Sequence, residues 1–253
     1  GVWQLGAMTA FAILRIQKHS SLASLAGVAR HHSRQSRARG CDPEKSPRNL
    51  SFGAACSGSA GVVAAVGSVI EQAQAKQSKA FRRDAVKAVE FMFTASPEWW
   101  KTASPKYRSA FFDRARRWLR EKHPGGVVAE WVHLDERSPH LHAVVVPLHE
   151  GRLNARHFFG GAKKLEALQD EFASLMQPLG LVRGVRGSDA PHLPVSAWWS
   201  ALDRPPEPVK RSDYLRKSMG LPAPALDQAE KKAAAFEAVK KEAQRLRARE
   251  ASV

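Results

Sequence analysis

Apolar and polar positions alternate along the chain in a way that predicts interleaved strands and helices. Residues 9–17, TAFAILRIQ, form an apolar run of strand length. Residues 86–94, VKAVEFMFT, alternate well enough for a second strand, and NLSF at 49–52 can open a short one. Two more strands are predicted over 127–133 and 140–147, separated by a polar turn that contains Pro139. The stretch 62–85 reads as helical, with few breakers after Gly67. Ser104-Pro105 is a helix start, because Pro suits the first turn. Residues 107–122 then carry Phe111, Phe112, Ala115, Trp118 and Leu119 as a stripe that belongs to a core. Pro124-Gly125-Gly126 stops that helix, and another amphipathic helix over 162–180 ends at Gly180.

The remaining segments are irregular in pattern. A Ser/Gly-spaced stretch leads into RHHSRQSRAR at 30–39, which by composition reads as a basic arm. Pro43, Pro47 and Asn49 mark a loop. GAACSGS at 53–59 lacks the Lys that a phosphate loop requires, which excludes a nucleoside triphosphate site of that kind. RGVRGSDAPH at 183–192 is Gly-rich and basic, and Pro205, Pro206 and Pro208 mark a linker. Beyond it, Leu226, Ala229, Ala233, Phe236, Val239, Ala243 and Leu246 fall on one face of an Ala/Lys/Glu-rich helix. That face is a weak seam of about three heptads, suited to self-association or to plain exposure.

Composition narrows the partner. Among 253 residues, 40 Lys and Arg face 24 Asp and Glu, a formal charge of +16. Clustered positive charge of this size points to nucleic acid, because phosphates are neutralised by Lys and Arg. Two cysteines, Cys41 and Cys56, exclude a disulfide scaffold and a four-cysteine zinc module, and fit a reducing cytoplasm. The apolar stretch 62–70 is too short for a membrane span, which needs about 20 residues. Residues 8–14 lack the basic leader of a signal peptide. Residues 1–7 precede Met8, a candidate start, and are set aside.

The sharpest chemical signal is HLDERSPHLH at 133–142. His140 and His142 lie two apart on a strand and share a face. If residues 134–139 form the turn, His133 stands opposite His140, and three imidazoles converge above the sheet. Such a set suits zinc, manganese or iron better than calcium and leaves coordination positions open. Asp135 and Glu136 stand beside them, able to orient an imidazole, contact the metal or hold its water.

This His-hydrophobic-His strand with a third His upstream resembles the HUH endonucleases. The longer form His133-Leu-Asp-Glu136-x-x-Pro139-His140-x-His142 resembles the Pre/Mob (MobV-type) plasmid mobilisation relaxases. Further matches are Ile13-Leu-Arg15 with Gln17-Lys18, and Leu25-Ala-Gly27-Val-x-Arg30-His31-x-x-Arg34. They continue through Asp42-x-Glu44-Lys45-Ser46-x-x-Asn49, Asp84-Ala-Val86, Phe93-Thr94-x-Ser96-Pro97-Glu98 and Lys164-Leu-x-x-Leu168-Gln169-Asp170-x-Phe172. Together they cover residues 10–199. Where the family's first motif has Asn after its His, this chain has His32.

The resemblance implies an α/β, HUH-type fold: a central, mostly antiparallel sheet flanked by helices, with a C-terminal helical extension. It implies a relaxase domain over residues 8–204, a Pro-rich linker over 205–225 and a helical extension over 226–253. The implied activity is metal-dependent, strand-specific nicking and rejoining of plasmid DNA at an origin of transfer, held single-stranded or as a hairpin, to start conjugative mobilisation. The implied metal ligands are His133, His140 and His142, binding Mn2+ or Mg2+, with Zn2+ as a third option. His31 is the implied nucleophile, with Arg34 and Glu136 as its catalytic companions, and His32, Tyr107 and Tyr214 as the competing nucleophiles. Arg30, Arg34, Arg37, Arg39, Arg183 and Arg186 are the implied DNA contacts, and a conjugative coupling protein is a further implied partner. Two other readings stay open at this point: an HUH replication initiator or transposase with a Tyr nucleophile, and a non-enzymatic basic DNA-binding protein with a structural metal.

Overall fold

The computed structural model describes residues 10–36, 40–184, 211–222, 226–227 and 230. The chain divides into two compact units between Gly184 and Val185. The first unit contains eight described strands: β1 (Ala10–His19), β2 (Leu50–Phe52), β3 (Ala88–Ala95), β4 (Val127–His133), β5 (His140–Val145), β6 (Leu148–His149), β7 (Arg152–Leu153) and β8 (Leu181–Arg183). Six of them form one sheet in the order β2-β4-β5-β3-β1-β8, and β6 pairs with β7 in a separate hairpin. Every pairing in the large sheet is antiparallel except β1 with β8. The fold is therefore α/β with a mostly antiparallel central sheet, and the strands bearing His133 and His140 lie second and third in it.

Both faces of the sheet are covered by helices, and the period of two along β5 shows how. Leu141, Ala143 and Val145 face the larger core, where Phe91, Phe93, Phe111 and Phe172 are fully buried. Burying each such ring is worth about 1.5–3 kcal/mol. That core is closed by helices α3 (Pro97–Thr102), α4 (Pro105–Lys122), α5 (Ala155–Phe159) and α6 (Ala162–Met176). Val144 and Val146 face the smaller core, with Leu25, Ala29, Val62 and Val66. Those four come from α1 (Leu22–His32) and α2 (Ser59–Gln74). His140 and His142 share the parity of Val144 and so lie on the α1 side.

Four elements differ from the sequence pattern. The start of the basic run is no arm: Arg30, His31 and His32 form the last turn of α1, where the helix dipole favours cations. Ser21 caps that helix by accepting the Ser24 N–H at 3.2 Å, and Leu25, Ala29 and His32 recur at helical spacing on its buried side. The helix expected over 62–85 runs from Ser59 to Gln74. There the Gln74 side chain donates to Lys79 O at 3.0 Å and accepts the Phe81 N–H at 2.7 Å, closing a loop instead. The short helices α3 and α5 carry too few residues for a periodic signal.

In the second unit, an eight-residue helix, α7 (Arg211–Ser218), occupies part of the segment read as a Pro-rich linker. Lys217 at its end lies 3.1 Å from Asp227 and also pairs with Glu230. Most of the expected seam over 226–246 lies outside the described residues, as do Arg37, Arg39, Arg186, His192 and the Trp198-Trp199 pair. Among the described residues, no helix is long and apolar enough to cross a membrane.

Candidate active site

The β4–β5 register puts His133 directly opposite His140 and Trp131 opposite His142. The three rings converge: centroids are 5.1 Å apart for His133–His140, 5.3 Å for His133–His142 and 4.8 Å for His140–His142. Their tautomers follow from their other contacts. His133 Nε2 lies 3.0 Å from the His32 carbonyl, and His140 Nδ1 lies 2.8 Å from the Ser138 carbonyl. A carbonyl only accepts, so those nitrogens carry the hydrogens. The remaining nitrogens, His133 Nδ1 and His140 Nε2, face each other at 3.2 Å as two lone pairs. Burial, then the neighbouring His140, Arg34 and His32, pushes His133 down to about 2, and burial lowers His140 too. Neither ring is protonated at neutral pH to relieve the contact, so the pair calls for a cation.

His142 completes the set differently from the simple triad. Its Nδ1 lies 2.9 Å from Glu90 Oε1, and burial holds this ring well below its ordinary range. Among the described residues the metal-competent atoms fall into three sets, two of which share His133. One joins His133, Glu136 and His140; the other joins His32, His133 and His142. Glu136 Oε1 stands 3.8 Å from His133 Nδ1 and 3.7 Å from His140 Nε2. Imidazoles with one free lone pair each, plus a carboxylate, suit a divalent transition-metal ion.

Glu90 is the residue that sequence reading missed. Its Oε1 contacts His32 Nε2 at 2.7 Å as well as His142, and His19 Nε2 lies 3.6 Å from Oε2. Burial opposes its charge, but the contacts with His142, His19 and His32 outweigh that and hold the carboxyl well below the usual range. The available signal was a single acid inside the otherwise apolar run AVEFMF at 88–93. His32 is itself buried, stacked on His142 at 3.8 Å.

A second carboxylate system straps the β4–β5 turn to the chain after α1. Arg34 grips Asp135 twice, Nε to Oδ2 at 3.0 Å and Nη2 to Oδ1 at 2.6 Å, and reaches Glu136 Oε1 at 2.7 Å. Its Nη1 donates to the His31 carbonyl at 3.2 Å. Arg34 adopts φ 56°, a left-handed conformation that costs a non-glycine residue about 1–2 kcal/mol and that these bonds hold in place. The Asp42 N–H donates to Asp135 O at 2.7 Å, Ser46 Oγ to Asp135 Oδ2 at 2.7 Å, and the Leu134 N–H to Asn49 Oδ1 at 2.7 Å. Burial works against the Asp135 charge, yet Arg34, Ser46 and Asn49 keep the carboxyl well below its usual range. Cys41 Sγ lies 3.6 Å from Glu136 Oε1, and burial with that carboxylate pushes its thiol up to about 11. The Asp42 carboxylate instead pairs with Lys45 at 2.7 Å in a solvated loop, and Glu44 is exposed.

His31 is half-buried beside this cluster, its ring centroid 5.3 Å from His32 and 6.5 Å from His133. Burial, then His32 and Arg34, lowers its pKa, so the imidazole is neutral at neutral pH. Tyr107 opens α4, on the far side of the sheet from the histidines, and Tyr214 belongs to the second unit. Arg30 is exposed. Arg183 ends β8 and donates to Asp170 Oδ1 at 2.8 Å. His157 stacks on His149 at 3.4 Å, outside the cluster.

Comparison with known proteins adds a family and a fold. The Mob_Pre family model, described as plasmid recombination enzyme, matches residues 8–199. A 65 kDa protein of Zymomonas mobilis subsp. mobilis is 33% identical over 200 residues, 78% of this chain and 34% of that protein. A plasmid recombination enzyme of a Bacillus species is 30% identical over 192 residues, 74% of this chain and 45% of that one. The chain thus spans between a third and a half of these relatives. Among solved structures, the Mn-bound relaxase domain of MobM with a 22-nucleotide pMV158 oriT DNA superposes with a TM-score of 0.68 at 24% identity. That match covers 76% of this chain and 99% of that domain.

Proposed function

Because this chain belongs to the Pre/Mob family of plasmid recombination enzymes, we propose that it is a relaxase that nicks and rejoins one strand of plasmid DNA at an origin of transfer. The observation that carries the reading is the pair of imidazole lone pairs at 3.2 Å on His133 and His140, with His142 and Glu136 beside them. These residues would hold a divalent ion, and three imidazoles favour manganese or another transition metal over magnesium. When bound, the ion supplies Lewis-acid stabilisation of charge on the scissile phosphate.

The chain's own residues do the rest. The neutral His31 attacks phosphorus, forming a P–N bond as the P–O3′ bond breaks. The 5′-phosphate stays on the protein and the 3′-hydroxyl end is free. The phosphoramidate keeps the bond energy needed for rejoining. Arg34, tied to Asp135, Glu136 and the His31 carbonyl, positions the nucleophile's helix end against the β4–β5 turn. His32 takes a different part from His31: buried and tied to Glu90, it orients His142. Tyr107 in the first unit lies on the far side of the sheet from the cluster, which favours His31 over Tyr107 as nucleophile. Arg30 offers an exposed charge for the strand, and Arg37, Arg39, Arg183 and Arg186 are proposed as further DNA contacts.

The DNA partner is read as single-stranded or hairpin origin DNA in the cytoplasm, with the coupling protein and C-terminal self-association as further partners. The test incubates the protein with supercoiled cognate plasmid and manganese. Relaxed circles carrying covalently attached protein are expected, and chelation should abolish them. DNA binding with no cleavage in any divalent metal would leave a structural-metal DNA-binding protein instead.

A further inference from the structure

One row of the sheet runs from the histidine cluster to a cation outside it. The strand registers align Trp131, His142, Met92 and Arg15 across β4, β5, β3 and β1. Residues opposite one another share a face. Their neighbours along the strands agree, because Leu14, Phe91 and Phe93 pack into the larger core on the other side. Arg15 therefore lies on the histidine side, two interstrand spacings or about 10 Å along the sheet from His142. It is exposed, and among the described residues it has no ion-pair or hydrogen-bond partner. Ile13 lies on the same face of β1, opposite Thr94. Ile13 and Met92 are half-buried and pack into neither core.

The two flanks of the cluster differ. On the β4 side Trp131 is buried against His32, and Arg34 and the loop from Asp42 to Asn49 tie down the β4–β5 turn. On the β3–β1 side, α1 reaches Glu90 and His19 through His32 and Ser24. Beyond them the sheet carries Met92, Ile13 and Arg15. We propose that this part of the sheet seats the DNA strand beside the scissile phosphate. Arg15 holds a backbone phosphate one or two nucleotides away, and Met92 and Ile13 floor the bases. The inference rests on the relaxase reading given above and adds a subsite to it. An apolar floor ending in an unpaired cation matches a single strand, which offers flat base faces and an anionic backbone. A duplex keeps those faces inside its stack. The guanidinium can give two parallel N–H bonds to one phosphate. Glu90, the acid on β3 of this face, is engaged by His19, His32 and His142 and leaves the Arg15 charge available.

The experiment uses the full chain and a single-stranded oligonucleotide spanning the nick site mapped on the cognate plasmid. Binding is followed with the metal chelated, so that the strand stays intact, and nicking is followed separately with manganese. Arg15→Gln should weaken binding about tenfold. It should lower the slope of log K against log salt by about 0.7, the share of one phosphate in single-stranded DNA. In nicking, KM should rise by a similar factor while kcat changes little, because the contact holds ground and transition states alike. Oligonucleotides with one phosphate at a time replaced by a neutral methylphosphonate locate the contact. Wild type should lose about tenfold in affinity at one position beside the nick, and Arg15→Gln should lose nothing further there. Met92→Ser should weaken binding without changing the salt slope, since it removes an apolar contact and no charge. Lys106→Gln, an equal loss of exposed charge on α4 across the sheet, should leave the methylphosphonate profile as in wild type. A wild-type profile in Arg15→Gln, or the same change in Lys106→Gln, would overturn the subsite and leave the relaxase reading standing. Unchanged affinity in Met92→Ser would remove the apolar floor. A wild type that nicks no plasmid would overturn the relaxase reading itself, and this inference with it.

Discussion

His32 and His142 stack at 3.8 Å, and a single oxygen of Glu90 lies 2.7 Å from one and 2.9 Å from the other. The carboxylate thereby braces both rings from β3. Glu90→Gln should weaken manganese binding about 10–100-fold, as loss of an outer carboxylate does at other metal–histidine sites. DNA affinity should change little. Calorimetry with manganese and a DNA binding titration measure the two separately, and unchanged metal affinity would remove Glu90 from this role.

His31→Ala should keep metal and DNA binding yet lose nicking and the covalent adduct together, while Tyr107→Phe stays active. The half-exposed position of His31 makes a folding defect small. The wild-type adduct should be acid-labile and stable in alkali, as a phosphorus–nitrogen bond is. Denaturing gels after acid and alkali treatment read this directly. An acid-stable adduct, or one lost in His32→Ala but retained in His31→Ala, would reassign the nucleophile.

Arg34 and Asp135 form a bidentate pair in which the Asp135 side chain has no exposed area. Arg34→Ala strands that carboxylate with Ser46 and Asn49 alone, and should cost about 3 kcal/mol in urea unfolding. Adding Asp135→Ala should recover part of the loss, since the buried charge is then gone. Equal stability of Arg34→Ala and wild type would mean the pair contributes nothing measurable.

His123 titrates far from the site. It is buried against Phe158 at 4.5 Å, and burial, then Lys122, pushes its pKa down to about 4 from 6.5. Between these values the unfolded chain binds the extra proton, so stability is full above pH 6.5 and is lost as pH falls towards 4. The loss from this group is about 2–3 kcal/mol at pH 4. His123→Gln should flatten that part of the pH–stability curve, measured by denaturant midpoints from pH 4 to 7. Parallel curves for the two proteins would refute the assignment.

Most of the strands, and the opposition of His133 and His140, were legible from the sequence alone. The reason is local: side chains alternate with a period of two, and a short polar turn between two apolar runs sets the pairing of the residues beside it. The positioned state of His31 was not legible, because Arg30 to His32, the end of α1, were read as the start of a basic arm; the burial of Leu25 and Ala29 depends on a core supplied by distant residues such as Val62, Val66 and Val144. Glu90 and Cys41 were out of reach for the same reason. Glu90 arrives because β3 lies next to β5, and Cys41 because its loop bonds to the turn around Asp135. Spacing along the chain determined which residues could share a face. Strand order and loop closure, which depend on how separate cores pack, decided which of them meet.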